Sequence, residues 1–439
     1  MRKLRLGLSM FRLGYHVAAW RHPDVQADGA MDLGFFADIA RTAERGLFDL
    51  VFMADELAIR GGTKPEGAAE RMANVAELEP LTLLSAIAAL TDRIGLVSTV
   101  STTYSEPYNL ARQVLSLDHL SRGRAGWNVV TSWGAEDALN FGHASLPGYD
   151  QRYARAGEFV QVVRGLWNSW APQGLVRDKA SGRFSDFAHL HPVNHAGPFF
   201  KVRGPLNMAP SVQGEPVIFS AGDSDDGREI AAREADVVFT AKQDIASARA
   251  FYADIKARAA RHGRDPSEVL VMPGLMAITA PTRAQADARL AELQALLDPL
   301  VGLASLYDRM GDLSGHDVDG PVPEPKDPAF RSRAQVMYDL AQARGYTIRQ
   351  LYELMAVGRG HRMLVGTPAD IADEMQLWFE TGAADGFNMI PTHLPAGIDA
   401  LVDLVVPELQ RRGLFRTGYE ATTLRGNLGL PMRGRAPGR

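Results

Sequence analysis

The chain has no cysteine in 439 residues. That absence excludes disulfides, iron–sulfur ligation and thiol nucleophiles, and it fits a reducing cytoplasm. A charge excess is missing as well: 47 Lys and Arg stand against 52 Asp and Glu, spread along the chain, for a formal net charge of −5. With no basic stripe and no polybasic patch, neither a nucleic acid nor a membrane surface is expected as a partner. Long hydrophobic runs are also lacking. The opening MRKLRLGLSMFRLGYH is basic and then apolar, but Arg5 and Arg12 leave too short an apolar run for a signal peptide, and no later run reaches the length of a membrane span.

What remains is an ordinary globular composition, 46% hydrophobic and 23% charged, long enough for a large core. Apolar runs rich in Val, Ile, Leu or Phe recur at residues 4–10, 48–55, 94–101, 125–132, 216–222, 236–241, 270–279 and 386–392. Between most of them the spacing is helical, as at 31–46, 109–123 and 367–382, the last with Thr367 as N-cap, Pro368 just inside and Gly382 as stop. Eight strands alternating with helices predict an α/β fold, a (β/α)8 barrel of the triosephosphate isomerase type, over one domain spanning residues 1–439. A doubly wound open sheet is the alternative, but no G-x-G-x-x-G follows strand one. Two long excursions interrupt the alternation, at about 171–215 after strand four and about 302–346 after strand seven.

In a parallel barrel the carboxyl ends of the strands carry the site. Those ends are polar here: Asp55, Thr99 and Ser101, Asn128 to Ser132, Gly222 with Ser224, and Asn388, Thr392 and His393. The segment SAGDSDDGRE runs from strand five through a Gly turn into a helix capped by Ser224, an arrangement whose free N–H groups suit a phosphate. Tyr149 and Tyr153 lie four apart, hence on one helix face, where two phenols can reach the same anion. A phosphate-bearing aromatic cofactor is expected. The cluster HLHPVNH, with His189, His191 and His195, suggests instead zinc in a metal-dependent barrel hydrolase, although it sits in an excursion away from any strand end.

The ordered blocks STTYSEPYNLARQVLSLDHLSRGRAGWNVVTS, RYARAGEFVQVVRGLWNSW, SAGDSDDGREIAAREADVVFTA, GTPADIADEMQLWFETGAADGFNMIP and VPELQRRGLFRTGYEATTLRGNLGLP cover most of the chain. They resemble the nitrilotriacetate, pristinamycin and dibenzothiophene-sulfone monooxygenase branch of the bacterial luciferase superfamily. The resemblance implies a luciferase-type barrel and FMN, used as FMNH2 delivered by a separate NAD(P)H:flavin reductase, with O2 as co-substrate. It implies a flavin peroxide as oxidant, a small N- or S-containing organic substrate, and a homodimer or homotetramer. It places FMN contacts at Asp55, Ser101, Tyr149, Tyr153 and Ser224, with Asn128 beside the ring. Two departures touch these contacts: Ser220-Ala221-Gly222 stands where the family commonly has Gln-Ala-Gly, and Tyr149 where it commonly has His. His16, in the loop after strand one, and Asn128 are the candidate catalytic groups, with His16 as proton donor. A deazaflavin-dependent oxidoreductase on the same barrel is the neighbouring alternative.

Overall fold

The structure, a computed structural model, describes residues 2–59, 64–325, 331–358 and 360–433. Nine parallel strands form its main sheet: β1 (Arg5–Ser9), β2 (Leu50–Met53), β3 (Gly95–Ser101), β4 (Ala125–Val130), β5 (Val217–Ser220), β6 (Val237–Thr240), β7 (Leu270–Thr279), β8 (Arg362–Gly366) and β9 (Gly386–Met389). Eight of them close a ring in the order β1-β2-β3-β4-β5-β6-β7-β9, with β9 returning to β1. The barrel is therefore the expected one. The ninth strand, β8, was not legible in its mixed sequence RMLVG. It pairs with the second half of β7, Arg362 beside Leu275 through Gly366 beside Thr279, while β6 takes the first half.

Side-chain alternation explains the closure. Leu50 and Phe52, Val97, Val217 and Phe219, Val237, and Leu270 and Met272 share an apolar cluster inside the ring. The intervening residues, among them Val51, Leu96, Trp127, Ile218, Val238 and Val271, join the larger cluster with the helices outside. Each fully buried aliphatic or aromatic side chain contributes about 1.5–3 kcal/mol relative to exposure. Leu424, Leu428 and Leu430 belong to the interior cluster as well, so the C-terminal segment stoppers the barrel floor.

The helices that bear on the site are α1 (Leu33–Arg45), α2 (Pro80–Ala88), α3 (Pro107–Leu120), α4 (Ala135–Asn140), α5 (Tyr149–Trp167) and α6 (Asp225–Glu234). Residues 168–216, between α5 and β5, hold short turns and a two-residue antiparallel pairing of His195–Ala196 with Lys201–Val202. The later excursion is larger than its sequence suggested. Four helices, Arg283–Ala295, Pro299–Met310, Arg331–Arg344 and Ile348–Gly358, fill the span between β7 and β8, with residues 326–330 outside the described residues. They build a core of their own, including Leu306, Ile348, Leu351 and Tyr352, which Ala18 of the β1 loop enters. Among the described residues no single helix is long and apolar enough to cross a membrane.

At the amino ends of the strands, polar groups are locked. Asp49, Asp236 and Asp385 each immediately precede a strand and accept a backbone N–H from its neighbour: Leu6 at 2.7 Å, Ile218 at 2.9 Å and Val271 at 2.9 Å. Each also meets a cation, Arg416, Arg425 and Lys256 respectively.

Candidate active site at the carboxyl end of the barrel

A cavity of about 760 Å³ opens where β2 to β5 end. Asp55 follows β2; Thr99 and Ser101 close β3; Thr131 and Ser132 follow β4; Ser220 closes β5, and Ala221 and Gly222 follow it. The far wall is helical, with Tyr149, Arg152 and Tyr153 on the first turns of α5 and Gly227 and Ile230 on α6. The volume falls in the range of about 300–1,000 Å³ typical of small-molecule sites.

At the α6 end of the cavity the helix start is capped as the sequence suggested. Ser224 caps α6, accepting the Gly227 N–H at 3.3 Å, and its hydroxyl lies 3.3 Å from the Tyr153 hydroxyl. The Tyr149 and Tyr153 rings lie 4.5 Å apart. Desolvation, with repulsion from Tyr153 and Asp226, holds the Tyr149 hydroxyl above its usual range. Gly222 and Gly227 are in backbone contact: a Cβ at Gly222 would stand 2.6 Å from the Gly227 Cα. Only glycine leaves that approach to the helix start open.

Beside the strands, Ser132 adopts a left-handed conformation, φ 51°, unusual for a residue with a Cβ. The Ser101–Ser132 hydroxyl bond of 2.7 Å and the Arg152 guanidinium, which donates to the Ser132 and Thr131 carbonyls, hold it there. Ser132 stands at the strand end where the sequence put it, whereas Arg152 escaped the sequence reading. Arg152 lies one residue before Tyr153, and only the helix geometry turns it toward β4. Asp55 is also distinctive. Desolvation, then repulsion from Glu77, Glu79 and Glu56, pushes its carboxyl up to about 7.

The two candidate catalytic residues are placed differently. Asn128 sits in the barrel, 3% exposed, donating to Thr99 Oγ1 at 3.0 Å, and Thr99 lines the cavity. Its Oδ1 is buried with no hydrogen-bond partner among the described residues. His16 is not in the cavity wall. It lines a separate crevice of about 40 Å³ with Arg12, Trp20 and Met72 to Asn74, and its Nδ1 accepts the Ala18 N–H at 3.1 Å, which puts the proton of a neutral ring on Nε2. The histidine cluster in the excursion is differently employed: His195 Nε2 lies 2.8 Å from Glu158, and no three His, Asp or Glu side chains among the described residues converge as metal ligands. Among the described residues these histidines thus offer no converged ligand set for the zinc reading.

The donors present fit FMN: hydroxyls, an arginine and a capped helix start for the phosphate, a cavity of adequate size, and an orphaned amide oxygen below it for a ring donor. Fold and site together define a parallel barrel with a polar cavity and a capped helix start at its carboxyl rim.

The sequence profile of luciferase-like monooxygenases matches residues 12–385, and the chain belongs to that family of flavin-dependent monooxygenases. It is 48% identical to N-acetyl-S-(2-succino)cysteine monooxygenase of Bacillus subtilis (strain 168), covering 98% of this chain and 97% of that one. It is 45% identical to nitrilotriacetate monooxygenase component A of Aminobacter aminovorans, again covering 98% and 97%. Among solved structures, a riboflavin lyase with modified FMN and riboflavin superimposes with a TM-score of 0.85 at 32% identity, over 99% of this chain and 98% of that one. An F420-dependent secondary alcohol dehydrogenase shares only the fold, at 15% identity and a TM-score of 0.57.

Proposed function

We propose that the chain is the oxygenase component of a two-component system, binding FMNH2 made by a separate NAD(P)H:flavin reductase and using O2 to oxidise a small N- or S-containing substrate. The observation that carries this is a 760 Å³ cavity walled by Tyr149, Arg152 and Tyr153, with Tyr153 bonded to Ser224, the cap of α6. The component names of the relatives support the division of labour. The flavin, when bound, supplies the chemistry that activates oxygen. The chain's own part is to hold the phosphate through Ser224, Tyr153, Tyr149 and Arg152, to orient the ring beside Asp55, Ser101 and Asn128, and to keep water from the reacting face. His16, with its proton on Nε2, is the candidate donor, acting from the crevice side. The same reading treats residues 1–439 as one unit, because Ala18 of the β1 loop enters the core of the later excursion. It also places a homodimer or homotetramer in the cytoplasm, which light scattering and fractionation would check.

The test is stopped-flow absorbance of the chain loaded anaerobically with FMNH2 and mixed with oxygenated buffer. Slowed reoxidation relative to free FMNH2 is expected. Reoxidation at the free-solution rate, together with no detectable flavin binding, would overturn the cofactor assignment.

A further inference from the structure

Resting on that reading, we infer that Trp133 is a flavin-positioning residue, whose indole stands at the mouth of the cavity and packs over the bound flavin, closing the site to water.

The inference starts from a rigid stem with an exposed tip. Trp133 lines the cavity and is 74% exposed, so it stands at the opening. Its stem is Thr131 and Ser132, and both are pinned. Thr103 Oγ1 donates to the Thr131 carbonyl at 2.6 Å, Arg152 donates to the Thr131 carbonyl at 3.3 Å and to that of Ser132, and the Ser132 hydroxyl is bonded to Ser101. These bonds keep Ser132 at φ 51°, a left-handed conformation that a residue with a Cβ disfavours. Such geometry persists only where the surroundings over-determine it, and here it sets the direction in which residue 133 leaves the rim. On the other side Gly134 is buried and caps the start of α4, so the indole is anchored from both flanks.

The other tryptophans supply the contrast. The chain has six. Trp127, Trp167 and Trp378 are no more than 1% exposed, and each donates its Nε1–H inside the protein, to the Val100 carbonyl, the Ala111 carbonyl and the Glu374 carboxylate respectively. Trp20 and Trp170, half-buried, donate to the Arg71 and Leu206 carbonyls. Only Trp133 keeps most of its ring in solvent. A large aromatic face held at a cavity mouth by pinned backbone is pre-organised for a flat aromatic ligand, because little conformational freedom is left to lose when the ligand arrives.

The experiment reads the indole itself. The chain grown with 5-fluorotryptophan carries one ¹⁹F probe per tryptophan, and the resonance lost in Trp133→Phe belongs to Trp133. Anaerobically reduced FMN should shift that resonance by ring current and lower its H2O/D2O isotope shift, while those of Trp167 and Trp378 hold still. In calorimetry Trp133→Ala should bind FMNH2 about ten-fold more weakly, and Trp133→Phe nearly as well as the unmodified chain, since an aromatic face is what the contact needs. At flavin saturation, reoxidation of bound FMNH2 should be about several-fold faster in Trp133→Ala. Phe187→Ala removes an aromatic ring that is 76% exposed on the excursion between α5 and β5, and should change neither quantity. A Trp133 resonance that bound flavin leaves unmoved, or Trp133→Ala binding FMNH2 as tightly as the unmodified chain, overturns the inference and leaves the cofactor assignment standing. An unmodified chain that takes up no flavin in the same titration overturns the cofactor assignment, and this inference falls with it.

Discussion

The two ends of this barrel use the same residue type in opposite ways. At the amino end, Asp236 is buried, accepts the Ile218 N–H and pairs with Arg425 at 2.8 Å. Burial alone would raise its carboxyl, but Arg425 and its other partners outweigh it and hold the group below the ordinary range. At the carboxyl end, Asp55 is partly buried among Glu77, Glu79 and Glu56 and is pushed up to about 7. Asp236, just before a strand, is tied down by its cations; Asp55, two residues past a strand, lines the cavity. The division follows from the closed, stoppered floor and the open upper rim, and it places stability and function on separate faces.

The largest expected effect comes from breaking the satisfied end. Asp236→Ala removes the partner of a buried arginine, so unfolding in urea should show a loss of about 3–5 kcal/mol. Whatever folded protein remains should bind FMN with unchanged affinity. On the functional end the pattern should invert. Arg152→Ala should weaken FMN binding by about 1.5–3 kcal/mol in calorimetry, the value of a charge-assisted bond, with a smaller loss of stability.

Asp55→Asn sharpens the contrast through pH. A carboxyl whose folded pKa is raised contributes most below the unfolded value near 3.8 and becomes a liability as pH rises through about 7. The substitution should therefore stabilise the chain at pH 8 by about 1–3 kcal/mol, a figure reduced for partial solvation, and have no effect near pH 3. Equal effects at both pH values would remove burial, with repulsion from the neighbouring glutamates, as the cause.

The smallest effect is expected at Glu158, which accepts from His195 at 2.8 Å and from the Phe200 N–H at 2.9 Å. Desolvation opposes these bonds, yet they hold its carboxyl below the usual range, so their support is present above the ordinary glutamate pKa and lost as pH falls through the lowered one. Glu158→Gln should cost about 1 kcal/mol in thermal unfolding at pH 7 and leave FMN affinity unchanged.

The alternation of apolar runs and helical spacing determined the barrel by itself, because inward and outward faces alternate with period two and helices announce themselves by caps such as Thr367. The Ser224 cap and the tyrosine pair were equally legible, since a capped helix after a Gly turn and two tyrosines one turn apart are local features. What only the tertiary structure decided is everything that depends on neighbours distant in sequence. Arg152 reaches the β4 carbonyls only because α5 folds back over them. Asp55 is perturbed by Glu77 and Glu79 from the segment leading into α2, and β8 exists only because the second half of β7 offers it an edge. The physical reason is one of range: backbone propensity acts within a few residues, whereas burial and electrostatic fields are set by what the closed barrel brings together.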